Sequence, residues 1–144
     1  MSLDYLILSC FNASITEVQA WVDREKLSYE GLQIFCCISA NDHFLGKLIE
    51  QRFGFLPNIE IQMQVNKFKV TQGYLTGSVA LFRLFDQLGS AFSGEALLLF
   101  QGETPFLYLR DHTITVNSQE CSPESLPAQQ IKMEKIFQPM AILE

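Results

Sequence analysis

The sharpest pattern in the chain lies between Asn58 and Lys67, where Ile59, Ile61, Met63 and Val65 alternate with Glu60, Gln62, Gln64 and Asn66. A period of two puts one set on each face of a β-strand. Such alternation suits an antiparallel sheet with one solvated side, because strands covered on both faces read as continuous apolar runs. Three more runs, Ala96 to Gln101, Pro105 to Arg110 and Thr113 to Asn117, are separated only by turn-forming residues at Gly102-Glu103 and Asp111-His112. No crossover helix fits between them, so neighbours must run antiparallel. Asp4 to Cys10 and Leu32 to Ile38 are short and rich in strand formers, which brings the expected sheet to about six strands.

Two segments carry the helical period instead. Ser14 and Glu17 form an S-x-x-E capping box, and Ile15, Val18, Trp21 and Val22 share one face of a helix expected to reach Glu25. From Tyr74 to Leu88, Leu75, Val79, Phe82, Phe85 and Leu88 recur at steps of three and four, and Gly89 is the expected stop. Asn41 to Arg52 fits a surface helix or a structured loop. Ser122-Pro123-Glu124 reads as a cap for about one helical turn before Pro127. The tail through Ile131, Met133, Ile136 and Phe137 is expected to return to the core as a strand or short helix. The expectation is one α+β domain over residues 1–144: an antiparallel sheet of about six strands with two main amphipathic helices packed on one face.

Composition supports a folded core, with 48% of the 144 residues hydrophobic and 18% charged. Ten Lys and Arg against sixteen Asp and Glu leave a net charge of -6, which repels phosphate backbones and anionic lipid and makes nucleic acid a poor partner. The same charge keeps a protein dispersed, or steers it toward a basic partner. Cys10, Cys36, Cys37 and Cys121 form no C-x-x-C pair and read as reduced, small buried hydrophobes. The opening Met1-Ser2-Leu3-Asp4-Tyr5 carries an acid and no base, unlike a signal peptide, and no apolar run approaches the ~18 residues that membrane insertion requires.

Chemistry is sparse. His43 and His112 each follow an aspartate in an expected loop or turn, where solvated tip residues are the usual outcome. No paired Cys and His ligands suggest zinc, and the glycines form neither a phosphate-cradling loop nor a nucleophile elbow. Glu95 with Glu103 or Asp111 is not persuasive as a catalytic carboxylate pair. The reading is therefore a protein that is not an enzyme and has no metal or cofactor. Residues suited to contacting a partner are Phe53 and Phe55, which flank Gly54, and the acids Glu103 and Asp111 at turns. The competing reading of the two rings is that both cover the sheet's edge while the glycine turns the chain.

The order of these elements resembles the immunity proteins of the bacterial swarming-inhibition (Sit) toxin/immunity systems. The resemblance begins with Asp4-Tyr5 and the capped helix. It continues through Phe53-Gly54-Phe55-x-Pro57 and the strand ending Asn66-Lys67-Phe68, and is strongest over Gly94-Glu95-Ala96-Leu97-Leu98-Leu99-Phe100-Gln101-Gly102-Glu103-x-Pro105 and the strand closing at Asn117. The family usually has Asp at the position of Glu95, Asn at that of Gln101, and a tryptophan-containing tail motif that is missing after Cys121. The resemblance implies a cytoplasmic protein that binds and neutralises a cognate toxin protein. Two alternatives come from other classes: a small-ligand or sensor domain with a pocket between helix and sheet lined by Trp21, Phe82 and Phe85, and an assembly subunit.

Overall fold

A computed structural model describes residues 2–25, 32–38, 44–66 and 70–143. The first strand, β1 (Ser2–Ser9), is flanked on both sides, by β3 (Ile59–Asn66) and β4 (Ala96–Phe100), and becomes an interior strand of a seven-stranded sheet. Strand β2 (Leu32–Ile38) pairs with the outer side of β3, while β5 (Thr104–Arg110) and β6 (Thr113–Asn117) continue from β4. These six strands are all antiparallel, as the alternation of Ile59 to Asn66 and the short turns required. The seventh, β7 (Glu134–Gln138), lies parallel to β6, so the order is β2-β3-β1-β4-β5-β6-β7. Its direction follows from the long connection after Asn117, which contains the short helix α4 (Leu126–Gln129).

Alternation on β1 defines the two faces. Tyr5 and Ile7 point to the first, where they join Ile61, Met63, Leu98, Leu107, Leu109, Ile114 and Val116 in the main core. Two helices close it. Helix α1 (Ile15–Glu25) contributes Val18 and Val22, and its capping box forms as expected: the Glu17 amide donates to Ser14 Oγ at 3.1 Å, and the Ser14 amide donates to Glu17 Oε1 at 3.3 Å. Helix α3 (Val70–Ala91) contributes Leu81, Phe82, Leu84, Phe85 and Leu88. The α+β class and the packing of both amphipathic helices on one face agree with the sequence reading.

Gly89 does not stop α3, which continues to Ala91. A Cβ there would stand 2.8 Å from Leu109 Cδ2, so glycine serves to bring the helix against β5. Asp86 on the same helix is buried, and its Oδ1 accepts from the Lys132 and Met133 amides, both at 3.0 Å, which ties the approach to β7 onto α3.

The second face is covered only in part. The ambiguous segment resolves into α2 (Phe44–Phe53), and its Ile49 packs on Leu8, Leu97 and Leu99 together with Phe55 and Leu143. On β3, Gln62 stays exposed while Glu60 and Gln64 are half-buried. The wet side expected of this strand is thus partly screened. The short turn of helix near Pro127 also begins later than expected: Ser125 is its cap, its Oγ accepting from the Ala128 amide at 3.4 Å, and Pro127 lies inside the first turn.

Candidate functional site

A bulge in β5 decides which side chains reach the second face. Leu98 pairs with Leu107 but Leu99 pairs with Pro105, which leaves Phe106 as the extra residue, against the first-face core with Tyr5, Phe82 and Phe100. Pro105 costs little there, since a bulge needs no amide donor. Beyond the bulge, Leu107 and Leu109 keep to the core and Tyr108 and Arg110 emerge on the opposite face.

Tyr108 is the hub of a small surface. Its ring stacks on Phe55 at 6.2 Å between centroids and tilts against Phe53 at 4.7 Å. Its hydroxyl donates to Glu95 Oε1 at 2.8 Å, with the Phe53 carbonyl as a second acceptor at 3.2 Å. Gly54 makes this junction possible: it takes φ 84° after the last turn of α2, and its amide donates to the Glu50 carbonyl at 3.0 Å. Burial, followed by the hydrogen bond to Glu95 and its charge, pushes the Tyr108 phenol above its usual value; Arg110 acts in the opposite sense.

Arg110 joins the group through its Nε, 3.5 Å from Glu95 Oε1 and 3.6 Å from Asp111 Oδ2. Asp111 and His112 form the two-residue turn between β5 and β6, at φ 51° and 60°. Both are exposed, which agrees with a tip position for His112. This left-handed pair is the geometry that hairpins usually give to Asn-Gly. A cleft of about 240 Å³ beside the turn is lined by Glu95, Asp111, His112 and the end of α3 near Phe92.

Of the four residues singled out from the sequence, Phe53 and Asp111 fall at this end of the sheet and stand half-buried and exposed respectively. Phe55 is there too but only 5% exposed, its ring spent on packing against the sheet, so it does not offer a contact to a partner. Leu56, the next residue, is 40% exposed. Glu103 is separated from the group. It lies in the turn at the other end of β5, roughly 25 Å from Asp111 at about 3.3 Å per residue. His43 lies outside the described residues. Tyr108, Arg110 and Leu56 were missed; the alternation of Leu107 and Leu109 with Tyr108 and Arg110 was the available signal, since it sets the latter pair on the face away from the core.

The three residues named for the alternative pocket between helix and sheet all pack into the first face. Phe82 and Phe85 are buried in the main core, and Trp21 packs edge-on against Phe92. A larger groove, about 460 Å³, lies instead on the second face beside Asp4, Leu6, Gln62, Gln64 and Gln101. Among the described residues no three His, Cys, Asp or Glu side chains are grouped to hold a metal ion, and Cys10 and Cys121 are free thiols. Among the described residues no helix is long and apolar enough to cross a membrane. In comparisons with known proteins, the chain matches no family model, no curated protein and no solved structure.

Proposed function

We propose that this protein is an immunity-type binding protein of the bacterial cytoplasm that neutralises a cognate toxin, and that the end of the sheet around Tyr108 meets the toxin. The observation that carries the reading is the linking of Phe53 and Asp111, distant in sequence, through Tyr108, Glu95 and Arg110, with the exposed Leu56 close in sequence to Phe53. Aromatic and arginine side chains held in place beside an exposed apolar residue are the usual makings of a protein-protein anchor. The bracing matters because side chains already ordered lose less entropy on binding. The resemblance to Sit immunity proteins supplies the kind of partner. The net charge of -6 favours a basic one, so association is expected to slow as salt is raised.

The test is coexpression with each neighbouring open reading frame, followed by pull-down and growth rescue. The reading expects one product that is toxic alone, is captured by this chain and is harmless beside it. If no neighbouring product is both captured and neutralised, the reading fails.

A further inference from the structure

We propose that residues 139–143 form a releasable strap that fixes α2 to the sheet and, through the adjacent Arg52 and Phe53, sets the shape of the surface around Tyr108. Three attachments hold the segment. Asn117 Oδ1 accepts from the Met140 amide at 3.0 Å while its Nδ2 donates to the Met140 carbonyl at 2.9 Å. The Leu143 amide donates to the Glu103 carbonyl at 2.8 Å, and its side chain, 6% exposed, plugs the apolar layer beneath α2 beside Leu97 and Leu99. Arg52 Nη1 donates to the carbonyls of Ala141 and Ile142 at 2.8 and 2.9 Å.

Among the described residues, the helix held in this way otherwise packs through Ile49 and the partly buried Leu45, Leu48 and Phe53. Ile49 is the one α2 side chain completely withdrawn from water among those described, and Tyr108 reaches the helix at its last residue, through the ring and the carbonyl of Phe53. An open hollow of about 200 Å³ lies at the surface among Leu48, Gln51, Arg52 and Leu143, so solvent reaches the rim of the plug. An element with few buried contacts opens at a lower free energy than the sheet beneath it. Arg52 and Phe53 are consecutive in the last turn of α2. The strap grips the first of them and Tyr108 the second, so letting go of Arg52 loosens the turn that carries the ring and leaves Phe53 to its contacts with Tyr108 and the layer beneath.

The consequence for toxin binding rests on the function proposed above, but the strap itself is tested without a toxin. Hydrogen exchange read by mass spectrometry compares the full chain with Leu143→Ala and Arg52→Ala, and with Ile142→Ala at an exposed position as control. The strap predicts amide exchange about tenfold faster over residues 45–56 in the first two variants, with wild-type rates over 96–100 and 113–117 and no change in the control. Equal acceleration throughout the chain, or none over 45–56, overturns it. Where a toxin has been captured, the same two variants should bind it more weakly; undiminished binding beside locally faster exchange would refute the link to the surface and leave the toxin reading standing.

Discussion

The two faces of the sheet are built to different standards. On the first, α1 and α3 lie over a continuous core that runs from Met63 on β3 to Val116 on β6, and polar groups at its margin are tied down, as Asp86 is by two amides. On the second, one short helix and a strap cover a smaller cluster around Leu97 and Leu99, and the rest of the face is left to polar side chains such as Asp4 and Gln62. The contrast separates two jobs. The first face holds the larger core, and the second carries the side chains that the proposed function assigns to a partner.

Neighbours on β4 give the sharpest test of this division, because Leu98 and Leu99 are equally buried but point to opposite faces. Leu98→Ala should lower the unfolding free energy by about 4 kcal/mol and Leu99→Ala by about 2–3 kcal/mol in urea titrations, since α2 and the strap can settle into a hole more readily than two packed helices. Equal losses would erase the distinction. Next in size is Asp86→Ala, which leaves two inward-facing amides without their carboxylate and should cost about 2–3 kcal/mol, with β7 loosened first in hydrogen exchange.

On the second face, Tyr108→Phe removes the hydroxyl that Glu95 and the Phe53 carbonyl both accept from and should cost about 1 kcal/mol near neutral pH. The pH dependence has a definite sign. The phenol is harder to ionise in the folded protein than in the unfolded chain, so its contribution is complete below the unfolded value of about 10 and is lost as the pH rises beyond it. The stability gap between wild type and Tyr108→Phe should therefore narrow above about pH 10. A gap that widened there would reverse the assignment. The smallest effect is expected at the turn: replacing Asp111-His112 by Asn-Gly should raise stability by up to about 1 kcal/mol in thermal unfolding, because that pair suits the left-handed turn.

These differences also explain what the residues disclosed before the structure did. The first face was readable because its elements obey a single period each: Ile59 to Val65 alternate, Val79 to Leu88 follow the helical step, and Ser14 with Glu17 announces α1. The second face was harder. Its helix has a narrow apolar stripe, with Ile49 fully buried and Leu45 and Leu48 only partly so, which a loop could share. Gly89 looked like a stop because glycine commonly ends helices, yet its role depends on Leu109, a residue of another strand. The same limit applies to the candidate surface. Phe53 and Asp111 could be picked out as turn-side residues, but the bulge at Phe106 that turns Tyr108 toward them is a property of strand pairing, and Glu103 differs from Asp111 only by lying at the other end of β5.

The most direct test is calorimetric titration of the captured toxin into wild type, Phe53→Ala, Asp111→Ala and Glu103→Ala, each checked for intact folding. The proposed surface predicts affinity losses of about tenfold or more for Phe53→Ala and Asp111→Ala, and near wild-type affinity for Glu103→Ala. Wild-type affinity in both of the first two variants, or a loss confined to Glu103→Ala, would contradict it.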